Sequence, residues 1–259
     1  MNITEQELEK LPLLNLSVDT HNNGGYIYIV NNKVIYKVFR DFYSFQDEVE
    51  RNVDFRINMP IPNTPQIYDK IYINGSFSGY IMEFIPDSLT FRNAIGKNLD
   101  LKTKIKAIND VYKALSFLHQ NNIYLGDIHS DNFLVSTNGN GYLIDLDYMR
   151  FPGDEYKFQQ CYLIMPDENS NKINLASKYT DNIKTMISSL SLLLDMDLEI
   201  FISKETHAIN IKELYNKVIA PLNNHTLYDY FKRLENKEDV EYFSTLLPSL
   251  DLSNTIKRK

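Results

Sequence analysis

Residues 26–30 and 33–39 form two mostly apolar runs rich in Ile, Val, Tyr and Phe, the residue types that favour strands. Asn31-Asn32 between them reads as a two-residue hairpin turn. A charged stretch over 42–59 predicts a helix, and a second strand pair, 67–73 and 77–84, flanks Asn74-Gly75. A helical period follows. Over 101–119, Ile105, Ile108, Tyr112, Leu115 and Leu118 recur at three- and four-residue intervals, which predicts an amphipathic helix, and the same spacing marks 181–194. Between these helices, strands 133–135 and 142–144 flank Asn138-Gly139-Asn140-Gly141, another hairpin signal. From Ile211 onward, helical segments break at Pro221 and Pro248.

The pattern predicts an α+β fold of two lobes: a small antiparallel sheet with one helix over residues 1–84, then a mainly helical part over 85–259. There is no internal repeat and no Pro- or Gly/Ser-rich linker that would separate independent domains.

Composition narrows the partners. Of 259 residues, 43% are apolar and 24% charged, ordinary for a folded globular chain. A net charge of −7 repels a phosphate backbone, so no nucleic-acid partner is expected. The single cysteine, Cys161, allows no intrachain disulfide and suits a reducing compartment. Residues 1–20 are unlike a secretory signal, and the longest apolar run, near Leu190, is far too short to insert in a membrane. A cytoplasmic location is expected, in the producing cell or, for an effector, in another cell.

Candidate chemistry starts with Lys37, which strand alternation puts on one face with Ile35 and Phe39, an unfavourable place for an unpaired ammonium. Glu48 and Glu50 on the following helix are candidate partners, and a lone strand lysine can also snorkel to an edge. The most informative stretch runs from Gly126-Asp127-Ile128-His129-Ser130-Asp131-Asn132 through the hairpin to Asp145-Leu146-Asp147. A hairpin returns its second strand to the start of the first, so Asn132 and Asp145 converge beside Asp127. If the strand persists, Asp145 and Asp147 project to one side. Oxygens gathered in this way suit Mg²⁺, which retains positions for substrate phosphates. Taken singly, Asp127, Asp131 and Asn132 are also common turn formers.

As a set, these residues and their order resemble the protein kinase superfamily. The likeness covers most of the chain and thins after about residue 200. It implies a bilobal kinase-like fold that binds ATP and Mg²⁺, with Asp127 as catalytic base and Asn132 and Asp145 as metal ligands, Asp147 being a further candidate. It also implies that Lys37 holds the α- and β-phosphates and pairs with Glu48, preferred over Glu50 because Phe45-x-x-Glu48-Val49 fits the usual helix pattern. Met82, Glu83 and Ile85 match the gatekeeper and hinge that grip adenine. The implied reaction is transfer of the γ-phosphate to a protein hydroxyl, of Ser or Thr more than of Tyr.

Four positions depart from the pattern. The glycine-rich loop is reduced to Asn22-Asn23-Gly24-Gly25. Leu125-Gly126 replaces the His-Arg before the catalytic Asp, so no arginine is expected there to read a phosphorylated loop. His129 stands where Ser/Thr kinases carry a lysine, placed either to reach the γ-phosphate or to bond its neighbours. Asp147 replaces the last Gly of the metal motif. The last two features resemble aminoglycoside and choline phosphotransferases, so a small-molecule kinase is the alternative reading and a pseudokinase the second alternative. Asp181 begins a helix only well after Asp145, and Met165-Pro166-Asp167-Glu168 looks like the end of an activation segment, which favours the protein kinase. By resemblance Asp181 would anchor the catalytic loop, and as a bare helix-start residue it would act as a cap.

Overall fold

Asn74 and Gly75 both take left-handed backbone, φ 52° and 81°, as a tight hairpin turn requires. That turn joins β3 (Ile67–Ile73) to β4 (Ser76–Glu83), and β2 (Val34–Val38) pairs along the other edge of β4. With β1 (Tyr26–Ile29) the sheet is antiparallel in the order β1-β2-β4-β3. The computed structural model describes residues 1–14, 25–39, 46–154, 176–202, 210–235 and 241–250. Asn22-Asn23-Gly24, Cys161 and Met165-Pro166-Asp167-Glu168 therefore lie outside the described residues.

Each face of this sheet is covered. On one, Val38 and Ile71 pack with Ile3 and Leu8, where a short helix α1 (Glu5–Leu8) is held by the Thr4–Glu7 capping box. On the other, α2 (Gln46–Asn58) lays Val49 and Val53 against Ile67, Phe77 and Tyr80. The stripe that α2 buries runs Val49, Asn52, Val53, Arg56. The spacing is helical, but half of the residues are polar, so hydrophobic periodicity alone cannot reveal the buried face.

In the second part, α4 (Leu101–Gln120) and α5 (Lys178–Leu194) bury their apolar sides in one core with Phe91, Phe133 and Leu143. The expected hairpin is present as β6 (Phe133–Ser136) and β7 (Gly141–Leu143). A three-residue strand not expected from the sequence, β5 (Ser88–Thr90), pairs with β6 and leads into α3 (Phe91–Ala94). Gly141 lets α4 approach β7 so closely that a Cβ there would lie 2.0 Å from the Ala107 carbonyl oxygen. The last segments are α6 (Ile211–Leu214), continued by a π turn over Tyr215–Ile219, then α7 (His225–Glu235). Pro221 and Pro248 fall in 3₁₀ turns, as expected of proline. The architecture is α+β. Among the described residues, no helix is long and apolar enough to cross a membrane.

Candidate active site

The β6–β7 hairpin brings the sequence motif together as its local geometry demands. The Ile144 amide donates to the Asn132 carbonyl at 2.8 Å, closing the end of the hairpin. Ser130–Asn132 form a 3₁₀ turn, and the Asn132 side-chain nitrogen donates to the Asp127 carbonyl at 2.7 Å. That bond uses the amide nitrogen and leaves the Asn132 side-chain oxygen to accept. The Asp127 backbone is thereby fixed while the residue itself stays exposed.

Asp181 anchors this loop from α5, as the resemblance implies. It is fully buried, accepting from the Leu125 amide at 2.8 Å, the Gly126 amide at 2.9 Å and His119 Nε2 at 3.1 Å. The Lys184 ammonium, one turn along the same helix, donates to the Gly126 carbonyl. Arg150 Nη1 reaches the Leu125 carbonyl at 2.5 Å, so an arginine does stand beside the loop, supplied from after Asp145 and not from position 126.

β7 ends at Leu143, so strand alternation does not set Asp145 and Asp147. Asp145 instead adopts φ 60°, and this left-handed residue turns both carboxylates toward Lys37. The Lys37 ammonium donates to Asp145 Oδ1 at 2.7 Å and to Asp147 Oδ2 at 2.5 Å. The two acids differ in setting: the Asp145 side chain is 44% exposed and that of Asp147 only 2%. Asp147 Oδ1 accepts from the Tyr80 hydroxyl at 2.7 Å, and Arg56 Nη1 lies 4.0 Å away.

Burial alone would strip Lys37 of its proton, but the two carboxylates hold its pKa well above the ordinary value. Asp145 resists desolvation through Lys37 and stays below the usual carboxylate range. Asp147 is pushed upward by burial, with the neighbouring Asp145 charge adding to the shift and Lys37 opposing it.

The expected Lys37–Glu48 pair is not formed. Lys37 is taken by Asp145 and Asp147, while Glu48 is half-buried and makes no ion pair among the described residues. Glu50 is turned away, accepting from Lys70 Nζ at 2.9 Å and the Tyr72 hydroxyl at 2.8 Å. The cause is the rotation of α2, which turns Asn52 and Arg56 inward. Asn52 donates to the backbone carbonyls of Asp147 and Met149 at 2.7 and 2.9 Å.

The remaining candidates spread along the sheet. Met82 pairs with Ile35 and packs on the Val49–Tyr80 cluster. The Glu83 carboxylate accepts from the Gln66 amide at 3.2 Å, and the carbonyl of buried Ile85 accepts from Ser88 Oγ at 2.8 Å. Gly25 has φ 109°, and a Cβ there would lie 2.3 Å from the Val38 carbonyl, so only glycine fits. Gly24 lies outside the described residues.

His129 Nδ1 sits 3.7 Å from Asp131. Burial would lower its pKa, but Asp131, Asp127 and Glu199 together raise it. Arg92 backs this group, bonded to Asp131 at 2.7 Å, to Asp197 at 2.9 Å and to Glu199. Glu199 in turn accepts from the Ser130 amide at 2.6 Å. Asn52, Arg56, Tyr80, Arg92 and Glu199 are absent from the sequence reading.

Among the described residues, no cluster of three or more His, Cys, Asp or Glu side chains is arranged to hold a metal ion. Asp145 and Asn132, brought to one end of the hairpin, offer one carboxylate and one amide oxygen. That set suits a cation which takes one or two protein oxygens and completes its shell with phosphates and water. Asp147 is committed to Lys37 and Tyr80, with both oxygens occupied. No protein-family model matches the chain, and no curated protein does so either.

Proposed function

We propose that this chain is an ATP-dependent phosphotransferase of the protein-kinase type, bilobal in arrangement, that transfers phosphate to a protein hydroxyl. The observation that carries the proposal is the 2.7 Å contact between Lys37 and Asp145, residues 108 positions apart, beside the Asp127–Asn132 loop. A strand lysine, a half-exposed carboxylate at a hairpin end and an anchored Asp-x-x-x-x-Asn loop rarely meet without a phosphate-transfer role.

Bound Mg-ATP would supply the transferable phosphoryl group. Lys37 would face its phosphates, and Asp145 with the Asn132 oxygen would hold the cation. Asp127, exposed on a backbone that Asn132 fixes, would orient the acceptor hydroxyl and take its proton. The raised pKa of His129 favours the imidazolium, a cation within the loop that suits an approaching phosphate. The sequence features behind a cytoplasmic site of action, in the producing cell or another, and against a nucleic-acid partner carry over unchanged.

A second reading, transfer to a small-molecule hydroxyl, draws on Gly126-Asp127-Ile128-His129, where a histidine takes the place of a lysine. Labelled ATP with Mg²⁺, offered to a protein lysate and to a panel of aminoglycosides and amino alcohols, separates the two. Transfer to protein that Asp145→Asn abolishes supports the first reading. Transfer only to a small molecule supports the second, and no transfer to any acceptor refutes both.

A further inference from the structure

A lysine that faces phosphate must be held when the site is empty, and the protein-kinase resemblance implies a helix glutamate for that task. Here the holding group is Asp147. One of its oxygens accepts from Lys37 at 2.5 Å and the other from the Tyr80 hydroxyl at 2.7 Å, and its backbone carbonyl accepts from Asn52 at 2.7 Å. Tyr80, Asn52 and Arg56 around it are all buried. Arg56 Nε and Nη1 have no hydrogen-bond partner among the described residues, so the buried guanidinium meets Asp147 as a charge pair at 4.0 Å.

Charge balance distinguishes the two acids. Lys37 and Arg56 against Asp145 and Asp147 sum to zero. Withdrawing Asp147 would leave the Tyr80 phenol buried without its acceptor and Arg56 without its counter-ion, with Lys37 held by Asp145 alone, which is strongly unfavourable. Withdrawing Asp145, already 44% exposed, breaks one bond to Lys37 but returns a carboxylate toward water and leaves Lys37 on Asp147, so it costs less. Once Asp145 turns away, Lys37, Arg56 and Asp147 carry one net positive charge, the sign that suits a polyphosphate.

We propose that Asp147 is the positioning residue for Lys37 in nucleotide binding, fixed by Tyr80 and Arg56, and that Asp145 alone of the pair leaves Lys37 to hold the cation. This rests on the phosphotransferase reading. It removes Asp147 from the metal ligands and removes the helix glutamate from the role of lysine partner.

The test is nucleotide affinity, by titration calorimetry with ATP in magnesium and in EDTA, for wild type, Asp147→Asn, Asp145→Asn, Lys37→Met and the Lys37→Met/Asp147→Asn double variant. Asp147→Asn should weaken binding roughly ten- to a hundredfold under both conditions, the usual cost of losing a group that orients a binding side chain. Its ratio of affinities with and without magnesium should match that of wild type, and on the Lys37→Met background it should cost nothing further. Asp145→Asn should lose the magnesium enhancement and keep the magnesium-free affinity. If Asp147→Asn does not fold, Tyr80→Phe takes its place, with a smaller loss in the same direction that also vanishes without Lys37. Additive losses, or a magnesium ratio that collapses in Asp147→Asn, overturn the assignment while nucleotide binding itself stands. If wild type binds no nucleotide, the phosphotransferase reading fails and the assignment with it.

Discussion

Replacing Asp181 by alanine tests the anchoring of the Asp127 loop, because three buried donors converge on its side chain. Its carboxylate accepts from the Leu125 and Gly126 amides at 2.8 and 2.9 Å and from His119 Nε2 at 3.1 Å, at zero exposure. Alanine leaves three buried donors without an acceptor, at about 1–3 kcal/mol each, or about 3–9 kcal/mol if the loop stays in place. That is a large part of a typical total stability of about 5–15 kcal/mol. At about 2–4 °C per kcal/mol for a chain of this size, the melting temperature should fall by roughly 6–36 °C. The loop can also relieve the penalty by opening to water, and amide exchange detects that outcome directly. Urea unfolding followed by circular dichroism gives the stability, and hydrogen exchange by mass spectrometry gives the protection of residues 125–126. Asp100→Ala, which removes the exposed N-cap of α4 that accepts from the Thr103 amide, should cost only about 1 kcal/mol and serves as the control. If Asp181→Ala unfolds within about 0.5 kcal/mol of wild type and the two amides stay protected, the anchoring argument is wrong.

Gly141→Ala should destabilise by at least about 2 kcal/mol in the same urea assay, because its Cβ would lie 2.0 Å from the Ala107 carbonyl and backbone must shift; a neutral result would refute the close approach of α4 to β7. His129 has a raised folded pKa, so its stabilisation is fully present below the unfolded value of about 6.5 and is lost as pH rises through the folded value. The stability gap between wild type and His129→Gln should therefore narrow from about pH 5.5 to pH 9, and a gap that widens reverses the sign. Asp131 is held down to about 2, burial being outweighed by His129 and Arg92, so its contribution is present above the unfolded value of 3.8 and is lost on acidification through the folded value; Asp131→Asn should lose its penalty in acid. Asp127→Ala should retain ATP affinity and lose about 10²–10⁴ in transfer rate, whereas a mere turn former would lose stability and keep its rate per folded molecule.

Legibility in the sequence followed the range of the interaction. Turns at Asn74-Gly75 and Asn138–Gly141, and the apolar stripe of α4, are set by neighbours a few residues apart, and they formed where the pattern put them. Asn132 and Asp145 converged because hairpin geometry leaves little choice. β5 was hidden because Ser88-Leu89-Thr90 carries too few positions for a period to register. The partner of Lys37 was illegible for a tertiary reason: it depends on how α2 is rotated about its axis. Asn52 and Arg56 face inward for hydrogen bonds that periodicity does not count, so Glu48 and Glu50 were left elsewhere. The left-handed turn at Asp145 brought both acids to Lys37, although no strand remained to align them. The network of Arg92, Asp197 and Glu199 joins distant positions, and nothing local announces it.

The attachment of α2 bears on how this site could be controlled. Asn52 ties the helix to residues 147 and 149, Arg51 pairs with Asp154 at 3.0 Å, and Val49 and Val53 are fully buried. Swinging α2 outward alone would break two net hydrogen bonds at about 1 kcal/mol each and expose two valines at about 1.5–3 kcal/mol each. The sum is about 5–8 kcal/mol, so by a tenfold change per 1.4 kcal/mol the swung-out form would hold fewer than about one molecule in a thousand. A ligand would need a preference of that size for the displaced form to populate it. Helix α2 and the segment behind Asp145 therefore behave as one body, so a change in the surroundings of Lys37 that relies on displacing this helix alone is closed to the protein.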